Sequence, residues 1–396
     1  MNNILFVISH LNGGGAEHVA RKNIECILTE EDYKVSLLTC DRKWKSEYGV
    51  RKYIAKDCLK DKSPLSIIYS SSNYRVINEC LKEVQPNIIH IHDFIVFSPA
   101  LYKALVKYKN KHDCKIIMTH HTYNRLCTND ALYNYSKNQV CEKCIGKFDA
   151  TIISDCCAGN KISSIGKYIQ KKIFTHYWDN LMNADISPSE FLMNKLISNG
   201  KTNNGKVVYN PCIESIENVT LEDRDNSIVF FGRVSKEKNI VEFAKMFLKV
   251  NSELKLIVIG RGNCEVELLE VTKASDKIEF ICDFLDTESL YKIIKKSRYF
   301  ILPSVWYENS PVSIVEAINV GLIPIVSNIG GMQELIDYFG VGYTFSPTNL
   351  DEIEKIIDSL EENYCRDINR LKIARGKLDV FLVEHYKQEI LNIYKE

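Results

Sequence analysis

The chain has 396 residues, 45% of them apolar and 26% charged, and its 51 Lys and Arg balance 51 Asp and Glu. That length is too great for one ordinary domain and suits two of roughly 180–200 residues, and the composition is that of a globular protein rather than a disordered or fibrous one. No apolar run approaches the ~18 residues that a membrane span requires. Met1-Asn2-Asn3 before Ile4–Ile8 lacks the charged region and long apolar core of a signal peptide, so a cytoplasmic location is expected. The 14 cysteines then point to reduced thiols or metal ligands rather than disulfides. Residues 1–205 carry 28 Lys and Arg against 20 Asp and Glu, a net +8, and the remainder carries 23 against 31, a net −8. A basic first half suits an anionic surface or acceptor, or serves solubility alone. No nucleic-acid partner is expected.

Asn3–Ser9 reads as a buried strand, and His10-Leu11-Asn12-Gly13-Gly14-Gly15-Ala16-Glu17 as a glycine loop opening a helix that runs to about Leu28. With Val35–Thr39 as the next strand, this is a Rossmann-like βαβ start. The dinucleotide fingerprint fails at its third glycine, which is His18, and only Asp41 after the second strand speaks for a dehydrogenase. Pro86–Asp93 is a strand whose alternation puts His90 and His92 on one face, where two imidazoles line a cleft or bind metal. Lys115–Thr119 is a strand ending in His120-His121, where open α/β sheets bind ligands.

Residues 127–157 form a cysteine-rich insertion with Cys127, Cys141, Cys144, Cys156 and Cys157. Cys141-Glu142-Lys143-Cys144 is a CxxC suited to two thiolates on one tetrahedral zinc, with Cys127 and one of the later pair completing a structural site. The alternative is a set of small buried residues. Lys161–Trp178 reads as a basic amphipathic helix with Ile162, Ile165, Ile169 and Ile173 at helical spacing and Lys161, Lys167, Lys171 and Lys172 elsewhere. It either packs that stripe into the domain or rests on an anionic membrane. Asn199–Lys206, rich in Asn, Gly and Lys, reads as the interdomain linker.

In the second half, Val207–Pro211 and Ile228–Gly232 are short strands, and Asp223-Arg224-Asp225 between them is a DxD that its polar loop discounts as a metal site. Gly232–Asn239 comes next, holding Arg233 and Lys238 in one loop. Two cations there suit the charge that builds on a leaving nucleotide diphosphate, Arg bidentately and Lys as a point charge. Leu256–Ile259 runs into Gly260-Arg261-Gly262, a rim for a nucleotide pocket, with the base expected near Ile281–Phe284. The stretch Leu302–Glu334 then reads strand end, loop, helix, strand and glycine turn. Ser310 is expected as the helix N-cap with Pro311 at the first helical position, and the stop at Gly321. Glu308 precedes that helix, whose N-terminus is a seat for phosphate, and Glu316 lies about two turns in, able to accept from a ribose diol. Taken singly, each glutamate is equally a surface acid.

The string WYENSPVSIVEA, with Glu308 and Glu316 so spaced, resembles the donor-binding signature of the retaining glycosyltransferases of family four, two-domain enzymes of the GT-B type that use nucleotide sugars. Gly321-Leu322-Ile323-Pro324 and Gly330-Gly331-Met332-Gln333-Glu334 match the family's pattern downstream of that signature. The resemblance implies an α/β fold of two Rossmann-like domains facing across a cleft. Residues 1–200 would form the acceptor domain, 207–375 the donor domain, and 376–396 a C-terminal helix crossing back to the first. It implies that Gly14 and Gly15 approach the donor phosphates, with Glu17 and His92 on the acceptor side. Arg233 and Lys238 would grip the pyrophosphate, and Glu308, Asn309, Ser310, Pro311 and Val312 would hold the sugar–phosphate end. Gly260 forms the rim, and Glu316 takes the ribose. A histidine six residues before a cysteine bonds the transferred sugar in that family. That position is His121, before Cys127. Related insertions place a cysteine three residues ahead of a glycine, which favours Cys156, before Gly159, over Cys157 as the fourth thiolate.

The expected function is retaining transfer of a sugar from a UDP- or GDP-sugar to a saccharide or lipid-linked acceptor in bacterial surface-polysaccharide synthesis, at the inner face of the membrane. No cofactor is expected to be needed for transfer, with zinc purely structural. No nucleophilic carboxylate stands out in the first domain, which favours front-face substitution. The alternatives on the same fold are a nucleotide-sugar epimerase or hydrolase, and a non-catalytic sugar-nucleotide-binding protein.

Overall fold

The computed structural model describes residues 2–44, 49–61, 65–145, 156, 161–178, 181–273, 275–349 and 351–396, apart from the side chains of 161–164. Cys157 and Gly159 lie outside the described residues. The chain divides into two compact units, one of Met1–Lys137, Cys141–Pro211 and Val383–Glu396, the other of Cys212–Leu382 with Asn138–Val140.

The first unit is built on a seven-stranded sheet: β1 (Asn2–Val7), β2 (Tyr33–Thr39), β3 (Arg51–Ile54), β4 (Ile88–Ile91), β5 (Lys115–Thr119), β6 (Ala184–Ser187) and β7 (Gly205–Val207), in the order β3-β2-β1-β4-β5-β6-β7. Every pairing is parallel. Alternate residues of β1 feed opposite cores, Leu5 and Val7 on one face, Ile4 and Phe6 on the other. A strand covered by helices on both faces needs such a continuous apolar run. The sequence 199–206 therefore does not end as a linker. Its last residues pair with β6, Asp185 opposite Gly205, and the unit boundary falls after Pro211.

Helix Val383–Lys395 belongs to this unit, with Tyr386, Ile390, Leu391, Ile393 and Tyr394 buried beside Ile4, Phe6 and Ile24. Helix Lys161–Trp178 buries a different face from the isoleucine stripe read in the sequence. Gln170, Lys171, Phe174 and Trp178 turn inward, while Ile165 is 44% exposed and Ile169 and Ile173 are half-buried. Lys171 goes inside because Asp130 Oδ1 at 2.5 Å and the Asn124 carbonyl at 2.8 Å receive its ammonium. A polar anchor thus outweighs the apolar periodicity in setting the helix's rotation.

The second unit carries a six-stranded parallel sheet: β8 (Asp225–Phe231), β9 (Lys255–Ile259), β10 (Ile278–Ile281), β11 (Ser297–Leu302), β12 (Ile323–Ser327) and β13 (Tyr343–Phe345), in the order β10-β9-β8-β11-β12-β13. Arg224, the middle residue of the DxD, is buried and ties three carbonyls together: Ser297 at 3.1 Å, Val320 at 2.8 Å and Gly321 at 2.9 Å. It closes the C-terminus of helix Val312–Asn319, whose last carbonyls have no partner within the helix. In each sheet the strand order reverses direction next to the first strand, between β1 and β4 and between β8 and β11. Open α/β sheets bind their ligands outside the carboxyl ends of the strands at such reversal points.

Candidate active site

In the second unit the two parting loops are 232–239 after β8 and 303–311 after β11. They are stitched together by the Val305 N–H donating to the Glu237 carbonyl at 2.9 Å. Each is held from behind by a glycine turn. The Val234 N–H donates to the Arg261 carbonyl at 2.9 Å, and the Gly331 N–H donates to the Glu308 carbonyl at 2.8 Å. A Cβ on Gly262 would sit 2.1 Å from the Val234 oxygen, and one on Gly331 only 1.8 Å from the Asn309 oxygen. Backbone meets backbone at both places, so the side chains on the loops are fixed from below.

Lys238 and Glu308 meet across this seam, Nζ to Oε1 at 2.6 Å, with side chains 16% and 11% exposed. The same Oε1 accepts from Ser304 Oγ at 2.9 Å and Trp306 Nε1 at 2.5 Å. Burial alone would raise the Glu308 carboxyl. The Lys238 charge and these hydrogen bonds outweigh it and hold the group below its ordinary range, ionised. All three donors converge on Oε1, and among the described residues none meets Oε2, leaving that oxygen to accept from a ligand. Arg233 lies on the rim, paired with Glu237 at 2.9 Å and 6.0 Å from the centre of the Trp306 ring.

Helix Val312–Asn319 starts one residue later than the sequence predicts. Pro311, not Ser310, occupies the N-cap position, at φ −71° and ψ 108°, with no side-chain cap. Extended backbone there carries the chain from the Glu308 loop into the helix. Asn309, Ser310 and Val312 are half-buried along this entry and Pro311 is buried. Glu316 faces a different neighbourhood from Glu308, near Cys212 and Tyr291. Burial pushes its carboxyl up to about 7, and it has no hydrogen bond or ion pair among the described residues. A buried carboxyl without a partner is costly, and donors from a bound molecule would relieve it. Gly260, at φ +136°, lies against the Gly232 carbonyl, so the rim expected there is a tight crossing of two backbones.

In the first unit the parting loops are 8–15 after β1 and 92–99 after β4, with His120-His121 next to them at the end of β5. Asp41 is consumed by this scaffold. Its carboxylate accepts from the backbone N–H of Leu11 at 3.3 Å and of Lys43 and Trp44 at 3.0 Å each. It pins the glycine loop rather than waiting for a ribose, which removes the residue that spoke for a dehydrogenase. Gly14 is the N-cap of helix Gly15–Leu28, and Glu17 folds back over Gly13, which a Cβ would bring to 2.8 Å from Glu17 Cδ. Around Gly15 there is open space.

The histidines sort by burial. His120 is fully buried, with Nε2 2.7 Å from Asp185 Oδ1. His121 is half-buried and stacks on His92, ring centres 5.2 Å apart, with its Nε2 2.9 Å from His92 Nδ1. His92, 3% exposed, stacks in turn on His90 at 4.4 Å. Burial first, then neighbouring imidazoles, hold all three neutral: His90 is lowered to about 3 and His121 to about 4, and His92 well below its ordinary value. Asn23, on helix Gly15–Leu28, reaches both inner rings, Nδ2 lying 3.2 Å from His90 Nδ1 and 3.1 Å from His92 Nε2. His92 therefore lies beneath His121, bonded to it.

Cys127, Cys141, Cys144 and Cys156, the four thiolates expected for zinc, are all among the described residues. Cys127, Cys144 and Cys156 are buried and Cys141 is half-buried. Among the described residues no three His, Cys, Asp or Glu side chains gather at metal-ligand geometry. Cys127 Sγ donates to Asn129 Oδ1 at 2.8 Å. A hydrogen bond with Cys144, then burial, raises the Cys127 thiol well above its ordinary value and favours the neutral form. The Cys141 N–H donates to the Leu132 carbonyl at 2.8 Å.

Sequence reasoning did not single out Ser304, Trp306, Glu237 or Asn23. Ser304 and Trp306 stood inside the Leu302–Glu334 stretch, and their closeness to Glu308 was the available signal. Asn23 had none beyond a polar residue among the buried positions of helix Gly15–Leu28.

Residues 213–375 match the family Glycosyl transferases group 1 and residues 13–154 match Glycosyltransferase Family 4. The chain is 24% identical over 330 residues to an uncharacterised 42.6 kDa protein in the cps region of Klebsiella pneumoniae, covering 82% of this chain and 76% of that one. It is 25% identical over 194 residues to the N-acetylgalactosamine-N,N'-diacetylbacillosaminyl-diphospho-undecaprenol 4-alpha-N-acetylgalactosaminyltransferase of Campylobacter jejuni, covering 45% of this chain and 53% of that one. It thus spans about half the length of that relative. Among solved structures, Anabaena Alr3699/HepE in complex with UDP-glucose superposes with a TM-score of 0.68 at 14% identity, over 100% of both chains.

Proposed function

Because the chain belongs to the group 1 glycosyltransferases, with the GT-B fold of two parallel α/β units, we propose that it moves a hexosyl group from a nucleotide sugar to a saccharide or lipid-linked acceptor, with retention of configuration. The observation that carries the proposal is the pairing in the second unit of a clamped, ionised Glu308 beside Lys238 with a half-buried Glu316 whose carboxyl has no partner among the described residues. Lys238 and Arg233 would neutralise the diphosphate as it leaves. Glu308 Oε2 and the entry to helix Val312–Asn319 would take the sugar–phosphate end, and Glu316 would accept from the ribose. Glu17 and His121 of the first unit would meet acceptor and transferred sugar. Transfer would be a front-face substitution, with the leaving phosphate helping to deprotonate the acceptor. A trapped glycosyl-enzyme adduct would overturn that step.

UDP-glucose in the HepE complex supports a UDP-sugar donor, with a GDP-sugar as the competitor. The undecaprenol-linked acceptor named for the Campylobacter relative supports a lipid-linked acceptor in surface-polysaccharide synthesis. Association with an anionic inner membrane face rests on exposed Ile165 flanked by Lys167 and Lys172. No helix among the described residues is long and apolar enough to cross a membrane. A structural zinc on Cys127, Cys141, Cys144 and Cys156 is a separate proposal resting on the CxxC spacing. Metal analysis of the purified chain decides it, and it has no part in transfer.

The test is thermal unfolding with UDP-, GDP- and ADP-sugars and NAD. Stabilisation by one nucleotide sugar, lost in Glu308→Ala and Glu316→Ala, is expected. Stabilisation by NAD alone would overturn the reading.

A further inference from the structure

We propose that Asn23 and His92 fix the tautomer of His121, holding its ring proton on Nδ1 and keeping Nε2 as an acceptor. An amide nitrogen has two hydrogens and no lone pair to offer. Asn23 Nδ2 lies 3.2 Å from His90 Nδ1 and 3.1 Å from His92 Nε2, so both of these ring nitrogens accept. His90 then carries its proton on Nε2, which meets Thr119 Oγ1 at 2.8 Å, and its Nδ1 also receives the Tyr394 hydroxyl at 2.6 Å. His92, with Nε2 accepting, carries its proton on Nδ1 and donates it to His121 Nε2 at 2.9 Å. A neutral His121 that accepts at Nε2 must hold its own proton on Nδ1.

Five side chains from four separate segments settle this sequence of donors: Asn23, His90, His92, Thr119 and Tyr394. Stacking at 4.4 Å and 5.2 Å holds the three rings nearly parallel, so none can turn over without breaking its neighbour's bond. Asn23 and His92 are positioning residues. On the reading that His121 touches the transferred sugar, they give that histidine one hydrogen-bonding polarity and deny its Nε2 to protonation.

The test is the two-bond proton–nitrogen spectrum of the ligand-free, full-length chain labelled at histidine, with His121 assigned by its loss in His121→Gln. Wild type is expected to show His121 protonated at Nδ1 and bare at Nε2. His92→Asn puts an amide nitrogen near the position of Nδ1 and is expected to keep that pattern. His92→Leu and Asn23→Leu are expected to give mixed tautomers. Turnover in His92→Leu should fall by about tenfold, the scale for removing a group that orients an imidazole. Its KM for the donor should stay within about twofold, since the groups proposed to hold the nucleotide and diphosphate are unchanged. His121 protonated at Nε2 in wild type overturns the inference, as does an unchanged pattern in Asn23→Leu. Should the leucine variants fail to fold, wild type and His92→Asn decide it. The spectra need no substrate, so they fail separately from the transfer reading, which falls if His121→Ala turns over at the wild-type rate.

Discussion

Glu308 is a buried acid and Glu316 a half-buried one, yet desolvation dominates Glu316 and a cation dominates Glu308. The Glu316 carboxyl, raised from 4.5 to about 7, favours the folded state most below its unfolded value, and that contribution is lost as pH rises through 7. In the partly exposed setting of this side chain the loss is on the order of 2–3 kcal/mol. Glu316→Gln should therefore unfold at higher temperature than wild type at pH 8 without ligand, with little difference at pH 4. A ribose diol bonds best to the ionised carboxylate, so donor affinity in wild type should rise with pH through 7 and be nearly flat in Glu316→Gln. Calorimetric titration at a series of pH values checks this. Lys238 supports Glu308 in the opposite sense. Lys238→Met strands a buried carboxylate, which costs about 3 kcal/mol or more, and should lower the midpoint of urea unfolding at pH 7. Because the lowered Glu308 carboxyl stabilises above its unfolded value and loses that contribution as pH falls through its folded one, wild type and variant should converge in acid.

At the scale of elements, what fixes loops 232–239 and 303–311 is the crowding of backbone at the glycine turns behind them. Gly331→Ala would press a methyl 1.8 Å from the Asn309 oxygen, and Gly262→Ala one 2.1 Å from the Val234 oxygen. Neither oxygen belongs to a flexible side chain, so the loops must shift. Each substitution should cost about 1–3 kcal/mol and abolish nucleotide-sugar stabilisation. Gly166→Ala is the contrasting case. It lies inside helix Lys161–Trp178 with nothing within 4 Å of its Cβ, and should stabilise the chain by about 0.5–1 kcal/mol. Thermal unfolding of the three variants side by side reads both signs.

For the whole molecule, the chain's path makes the units unequal in autonomy. Nearly all of the second unit is the continuous stretch Cys212–Leu382, whereas the first recruits Val383–Glu396 from the far end. Tyr386, Ile390, Leu391, Ile393 and Tyr394 together bury apolar surface worth on the order of 10 kcal/mol, comparable to the full stability of a domain. Residues 1–211 expressed alone should lack a cooperative unfolding transition and regain it when a peptide of residues 383–396 is added. Residues 212–382 should unfold cooperatively by themselves. Circular dichroism on the fragments checks both.

The fold and the clustering of the candidate residues in the second unit were legible in the sequence because they rest on local pattern. Apolar runs of strand length alternating with helical periods specify parallel α/β units, and Arg233, Lys238 and Glu308 each sit in a loop between a strand end and a helix start, with Glu316 inside the helix that follows, where short-range signals are strong. Strand position also placed His120 and His121 at the carboxyl end of β5, and the family resemblance singled out His121. What the pattern could not decide were contacts between residues far apart along the chain. The isoleucines of helix Lys161–Trp178 have helical spacing, but Asp130 decides which face turns inward by receiving Lys171. The CxxC spacing suits zinc, but among the described residues no three ligating side chains gather, and the Cys127 thiol bonds to Cys144 and Asn129. Asp41 reads as a ribose ligand until three backbone N–H groups claim it. Asn23 carries no motif at all; its role exists only because β1, β4, β5 and the last helix converge on it. Hydrophobic periodicity is written locally and survives reading in one dimension, whereas the pairing of a buried polar group depends on which distant partner the tertiary fold delivers.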